Sequence, residues 1–373
     1  MRPHPKLVKF LESVLYGGRA DLPAVCARGV LRLLAAIYRA GLRVHMGPFE
    51  IGLRKRKRLA RPVISVGNLT VGGTGKSPTV QYLCAGLNDM GLSPAVLSYG
   101  YGGTLHGKFG IVSDRSAIRM TPEAASDEPV MLASLLPDVP VLIGKDRVRS
   151  GRVAVENLGA NILVLDDGFQ VWNLHRDLDI VLINAGNPFD NGRTLPAGRL
   201  RESLTALNRA DCIIATGQWK AKDSEEMLAR LKRFTSAPVY FGRFVPSAVA
   251  RPGGDSTMPV REMQGKRVFA LSSIASPRSF EESLVEAGAV IFGRKRLPDH
   301  HIYSPRDIAR INRDALESSA EFIATTDKDA VKLDAEQLAL PMLILRIRLD
   351  LEDEKGFWEL VNRGINPDRP ETC

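Results

Sequence analysis

Between residues 62 and 87 the chain passes from a short apolar stretch to a glycine-rich loop and then to a helical pattern. Pro62-Val63-Ile64-Ser65-Val66 has the apolar, β-branched character of a buried strand. Gly67-Asn68-Leu69-Thr70-Val71-Gly72-Gly73-Thr74-Gly75-Lys76-Ser77-Pro78 follows, and Thr79 to Leu87 has helical spacing. A strand, a loop ending in Gly-Lys-Ser and a helix together form a phosphate cradle. Glycines let backbone N–H groups approach an anion closely, and the helix N-terminus adds a favourable dipole. Gly72, Gly73, Thr74, Gly75, Lys76, Ser77 and Pro78 are therefore the candidate nucleotide-binding residues. Lys76 would reach the β- and γ-phosphates, and the Ser77 hydroxyl would ligate Mg²⁺. The strict pattern has glycine six places before the lysine; Thr70 stands there, so the loop is a variant.

A phosphate loop of this kind needs carboxylates at the end of a neighbouring strand to complete its metal site. Asn161-Ile162-Leu163-Val164-Leu165 is apolar and strand-like, and Asp166-Asp167-Gly168-Phe169-Gln170 follows it. Asp166 and Asp167 are thus candidate Mg²⁺ residues. Further strand patterns at Leu178–Asn184 and Cys212–Thr216, with helical stretches between, indicate a P-loop NTPase fold. The expected class is α/β, with a doubly wound, mostly parallel sheet.

The chain has 373 residues, too many for one small core. Three segments are expected: a basic head at 1–60, a phosphate-loop core at 61–246 and a smaller α/β unit at 247–373. The stretch Ser247–Pro259, rich in Pro and Gly, reads as the linker or an exposed loop. Beyond it, Val268–Ser272, Phe322–Thr325 and Met342–Leu349 read as strands, with helices at Pro277–Ala287, Pro305–Ser318 and Phe357–Asn362. Cysteines at 26, 84, 212 and 373 lie too far apart for a zinc or disulfide framework and suggest a reducing compartment. No run of about 18 uncharged apolar residues is present, so a plain transmembrane span is not expected. Lys9 and Glu12 interrupt the apolar start, so no cleavable signal is expected either.

The net charge of +9 is unevenly placed. Residues 1–61 hold 14 Lys/Arg against Glu12, Asp21 and Glu50, whereas the remainder holds 37 against 39 acidic residues. Within the head, residues 23–44 have helical apolar spacing, with Arg28, Arg32, Arg39 and Arg43 forming a stripe. Val30, Leu33, Leu34 and Ile37 face the other way, and Arg54-Lys55-Arg56-Lys57-Arg58 follows. An amphipathic helix beside a polybasic cluster suits an anionic membrane interface. The plainer alternative is a surface helix packed on the protein's own core. Nucleic acid is not expected as a partner, because the rest of the chain is slightly acidic and carries no nucleic-acid module.

Guanine recognition calls for Asn/Thr-Lys-x-Asp after a strand. The nearest candidate, Thr325-Thr326-Asp327-Lys328-Asp329-Ala330, has alanine where the aspartate is needed, so ATP is expected rather than GTP. These residues belong to an ordered series. Along with the phosphate loop it contains Gly100-Tyr101-Gly102-Gly103, Ser126-Asp127-Glu128-Pro129, Asp146-Arg147 and Asp166-Asp167-Gly168-Phe169-Gln170. It continues with Leu195-Pro196-Ala197-Gly198, Leu200-Arg201-Glu202, Pro298-Asp299-His300-His301 and Thr325 to Leu333. In this order the series resembles the tetraacyldisaccharide 4′-kinase family of the bacterial lipid A pathway, over residues from about 20 to 335. Two positions depart from that family: Tyr99 stands where an arginine is usual, and Asp327 where a glutamate is usual.

The resemblance implies transfer of the ATP γ-phosphate to the 4′-hydroxyl of a tetraacylated disaccharide 1-phosphate, giving lipid IVA. It implies a membrane-facing N-terminal helix and a smaller domain closing over the nucleotide. Its setting would be the cytoplasmic face of the inner membrane, peripheral or monotopic. The partners would be the lipid disaccharide and the anionic membrane surface, with no obligatory protein partner. It points to Asp127 as general base assisted by His300, with the neighbouring His301 leaving the register open, and adds Glu128 and Glu202 as metal candidates. A membrane-associated regulatory P-loop ATPase is the alternative reading. Such ATPases carry a second lysine just before the paired glycines, where this chain has Val71.

Overall fold

The computed structural model describes residues 10, 13–217, 221–253 and 257–366; the first nine residues and the tail ending at Cys373 lie outside them. In chain order the first strands are β1 (Val63–Asn68), β2 (Pro94–Ser98), β3 (Gly110–Ser113), β4 (Val141–Ile143), β5 (Ile162–Asp166), β6 (Leu178–Asn184) and β7 (Cys212–Thr216). After them come β8 (Val239–Ala250), β9 (Thr257–Met258), β10 (Arg267–Ser272), β11 (Val290–Arg296), β12 (Phe322–Thr326) and β13 (Met342–Leu351). All belong to one sheet, ordered β11-β10-β12-β13-β8-β7-β6-β1-β5-β2-β4-β3, with β9 paired to β8. β1 is buried at every residue and runs parallel to both β5 and β6. A strand covered on both faces can be apolar throughout, which is why Val63 to Val66 shows no alternation.

The two parallel halves meet where β13 runs antiparallel to β8. The boundary expected at Ser247 therefore falls inside a twelve-residue strand. Val249 and Ala250 are buried and ladder-paired, so Ser247–Ala250 of the expected linker is strand; 251–253 are exposed and 254–256 lie outside the described residues. Two hydrophobic clusters lie in the second lobe, around Val268, Phe280 and Leu343 and around Phe269, Ile311 and Ile323. The C-terminal helix departs from the expected division as well. Its apolar residues Phe357, Val361 and Ile365 join the core that contains Ile64, Leu83 and Val164 in the first lobe. Tyr82 and Trp358 lock that packing, with Trp358 Nε1 donating to Tyr82 Oη at 2.9 Å and Tyr82 donating to Glu354 at 2.7 Å.

Helix α1 (Leu22–Glu50) lies against the first lobe through a narrow stripe. Ala24 and Ala35 are buried there, and Leu31, Tyr38, Leu42 and Met46 are half-buried. Tyr38 donates to the Arg201 carbonyl at 2.9 Å, and Arg28 to the carbonyls of Val14 and Arg19. The apolar face points outward: Leu22, Val30, Leu33, Leu34, Ile37 and Val44 are 45–77 % exposed. The helix does pack on the protein's own core, as the plainer alternative has it, but not through this face. The helix has a third face, formed by Ala24, Leu31, Ala35, Tyr38 and Leu42, and that face makes the contact. Among the described residues no helix is long and apolar enough to cross a membrane.

Candidate active site

The phosphate loop leaves β1 and enters helix α2 (Lys76–Asp89). Gly72 and Gly75 have φ of 122° and 84°, values that a side chain resists, and Gly75 caps α2 without any side-chain bond. The first-turn amides of α2 are therefore left for a ligand. The loop is stitched to the segment before Glu202: Val71 N donates to Arg199 O at 2.9 Å, and Arg201 N to Leu69 O at 2.7 Å. Thr74 is buried and accepts from Asn68 Nδ2 at 2.8 Å. Ser77 and Pro78 sit half-buried in the first turn of α2, where proline's missing N–H costs no helical bond.

Asp166 ends β5 level with Val66 of β1. It is buried; Oδ2 accepts from Ser98 at 3.0 Å, while Oδ1 has no hydrogen-bond partner among the described residues. Burial, with the negative charges of Glu128 and Asp167, pushes its pKa up to about 6 against the pull of Lys76. Asp167 adopts a left-handed φ of 56°. Burial would raise its pKa too, but Lys76 Nζ at 3.7 Å and Arg201 at 2.7 Å outweigh it and hold the carboxyl below its ordinary value. An orphaned, buried carboxylate oxygen beside a phosphate cradle fits a divalent cation. Mg²⁺ held partly by nucleotide phosphates needs only one or two carboxylates.

Opposite this pair, helix α3 (Asp127–Leu135) presents Asp127 at its first residue, after Ser126 with φ of 82°. Asp127 accepts from Ser126 Oγ and the Glu128 amide, and the second lobe supplies the rest. His300, at a φ of 56° in the loop after β11, places Nδ1 at 2.9 and 3.0 Å from the two Asp127 oxygens. Lys332 Nζ stands 3.5 Å from Oδ2. Burial alone would raise the Asp127 pKa, yet the bond from His300 and the charges of Lys328, His300 and Lys332 hold it well below the carboxylate range. The same bond raises the His300 pKa, outweighing burial and the charge of Lys328. His301 instead pairs with Asp307 at 3.1 Å, so His300 is the ring that meets Asp127.

The family described as Tetraacyldisaccharide-1-P 4'-kinase matches residues 27–366. The chain belongs to the tetraacyldisaccharide-1-P 4'-kinase family. A Tetraacyldisaccharide 4'-kinase of Syntrophus aciditrophicus is 41% identical over 347 residues, covering 89% of this chain and 91% of the relative. Its namesake in Geobacter sulfurreducens is 40% identical over 328 residues, covering 87% of this chain and 90% of the relative. The crystal structure of the "apo" form of LpxK from Aquifex aeolicus in complex with ATP superposes with a TM-score of 0.72. It is 30% identical and covers 91% of this chain and 99% of that one.

Not every residue that the 4′-kinase resemblance singled out converges on the loop. Glu202 is buried, but its carboxylate is engaged by Arg209 at 2.9 and 3.1 Å, and that guanidinium lies over Phe169 and Trp172. Arg209 thus holds Glu202 much as Arg201 holds Asp167. At the position where the family usually has arginine, the Tyr99 ring lies 5.5 Å from the buried Arg147 guanidinium. Burial lowers the Arg147 pKa to about 10, opposed by the charges of Asp166, Asp167 and Tyr99. A positive charge therefore reaches the acidic pair from another strand end.

Sequence reading missed Lys328 and Lys332, although the motif containing them was in view. It serves there as a guanine-recognition candidate and as part of the family series, with no role for either lysine, whereas it leads out of β12 in the second lobe. Two lysines four positions apart beside a strand end were the available signal. Asp329, fully buried, fixes this motif: it accepts from Ser273 N, Thr326 Oγ1 and Tyr303 Oη and pairs with Lys332 at 3.0 Å.

Proposed function

We propose that this chain transfers the γ-phosphoryl group of ATP to the 4′-hydroxyl of tetraacyldisaccharide 1-phosphate, giving lipid IVA in lipid A biosynthesis. The observation that carries the reading is the Asp127–His300 pair, built across the two lobes and facing a phosphate loop with an acidic pair. Lys76 and the α2 amides bind and orient the phosphates, and stabilising the charge on the transferring group is the largest part of such catalysis. Asp127 takes the proton of the attacking hydroxyl, and His300 orients it. Ser77, Asp166 and Asp167 are the residues that would hold Mg²⁺, with Glu128 and Glu202 as weaker candidates, and the ion would supply charge neutralisation at the phosphates.

The acceptor is a lipid, and the outward apolar face of α1 with residues 54–58 beside it supports binding at an anionic bilayer surface. On this reading the protein lies on the cytoplasmic face of the inner membrane. Transfer of ³²P from ATP to a chloroform-soluble product tests the assignment, with Lys76→Ala as control. Phosphate release without labelled lipid would favour the regulatory ATPase instead. Near-normal turnover in Lys76→Ala would remove the phosphate-loop role.

A further inference from the structure

Lys328 occupies a position that neither the phosphate loop nor the proposed base explains. Its side chain is largely shielded, and its ammonium has three neighbours: Asp299 Oδ1 at 3.0 Å, Glu128 Oε1 at 3.1 Å and His300 Nε2 at 3.3 Å. Burial would lower its pKa, but Glu128, Asp127 and Asp299 outweigh that and keep it charged. An ammonium has three N–H donors and no acceptor. Two of the donors meet carboxylates, and among the described residues the third is met by a lone pair on His300 Nε2. The ring's other nitrogen lies within 3.0 Å of both oxygens of Asp127, an ionised acceptor that wants a hydrogen there. Among the described residues the other acceptor near Nε2 is Asp299 Oδ2, at 3.8 Å, which is beyond bonding distance.

We propose that Lys328 is a positioning residue that fixes neutral His300 in the Nδ1–H tautomer, so that the ring donates to Asp127. The inference rests on the reading of Asp127 as the base. It changes what His300 can do: with Nδ1 protonated and facing Asp127, the neutral ring has no lone pair on that side to take the proton that Asp127 acquires. The proton of the attacking hydroxyl therefore stays on the Asp127 carboxyl while His300 holds that carboxyl in place. The arrangement also spans the lobes, because Lys328 bonds Glu128 of α3 on one side and Asp299 and His300 of the second lobe on the other. The tautomer is set where the two lobes meet.

The test uses the full-length protein labelled with ¹⁵N-histidine, at mildly alkaline pH, with His300→Gln identifying the signal. The wild type should show Nδ1 protonated and Nε2 bare. Lys328→Met keeps the length and loses the donors; the tautomers should then mix, and kcat should fall about 10- to 100-fold with the KM for ATP changed little. Lys328→Arg retains donors and should keep the wild-type nitrogen pattern. Two results overturn the inference: a protonated Nε2 in the wild type, or an unchanged pattern in a folded Lys328→Met, whatever happens to kcat. Near-normal turnover in Asp127→Ala would instead remove the base assignment, and the nitrogen spectra would still report on Lys328 separately.

Discussion

Arg201 donates through a single guanidinium nitrogen to both oxygens of Asp167, at 2.8 and 2.7 Å, while its own backbone amide holds the phosphate loop at Leu69. One residue thus ties the loop to the acidic pair. It also shares with Lys76 the task of balancing Asp167. Without the guanidinium, Lys76 becomes the nearest cation to Asp167 and is drawn away from the phosphates. Arg201→Ala should lower kcat/KM for ATP about 10- to 100-fold, the range for losing a charged hydrogen bond. Arg201→Lys should restore part of this, since a lysine supplies the charge without the planar fork. Steady-state kinetics on both variants check it; wild-type kcat/KM in Arg201→Ala would make the contact dispensable.

Asp166 carries a cost in the nucleotide-free protein. Its Oδ1 has no partner among the described residues, and burial with two neighbouring carboxylates pushes its pKa up to about 6. At neutral pH the fold must bear a charge that is better tolerated in the unfolded chain. Asp166→Asn should therefore abolish transfer yet raise the melting temperature of the nucleotide-free protein by roughly 2–6 °C. The sign follows from the raised pKa: the advantage over wild type should shrink as pH falls below about 6, where Asp166 becomes neutral by itself. Melting curves at two pH values read this directly. A lower melting temperature for the variant at pH 7 would show the carboxylate is already compensated.

The phosphate-loop half of the molecule was legible because its signals are local. A loop between Val66 and Lys76 announces itself through glycine spacing, and Asp166 through the apolar run before it. The join between the lobes was not legible. Ser247–Ala250 has the small residues of a linker, and only its pairing with β13, about a hundred residues away, makes it a strand. The same distance hid Lys328, whose meaning depends on Glu128 and His300 arriving from two other places. For α1 the arginine and apolar faces were readable, but the docking face was not. Alanine gives little hydrophobic signal, and Ala24 and Ala35 make contact because they are small. His300 and His301 likewise differ only in which carboxylate each ring meets, Asp127 or Asp307.

The outward face of α1 allows binding and stability to be separated. Leu33, Ile37 and Val44 are more than 60 % exposed, so replacing them with glutamine removes no core contact. The triple variant should melt within about 2 °C of wild type, as surface changes usually do. Its sedimentation with vesicles containing anionic lipid should nevertheless fall several-fold, because each lost side chain removes apolar area from the interface. Raised salt should weaken the wild type as well, through residues 54–58. Sedimentation indifferent to both changes would exclude this face as the membrane contact.

The Asp127–His300 pair makes activity and stability run in opposite directions with pH. The bond to Asp127 raises the His300 pKa above its ordinary value of about 6.5, while Asp127 stays ionised. Below that ordinary value the pair is charged on both sides, and its contribution to joining the lobes is fully present. This contribution is lost as pH rises through the raised value. The charged ring weakens Asp127 as a base, so kcat should climb over the same interval, with an acid limb above about pH 6.5 that disappears in His300→Ala. Asp127→Ala should cost roughly 10²–10⁴-fold in kcat at every pH with the KM for ATP little changed. His300→Ala should cost less, and the double variant should lose less than the product of the two factors, because both act on one carboxylate. Full pH profiles for the four proteins contain every arm of the cycle. If the two losses simply multiply, the residues act independently, and the acid limb must then come from another group.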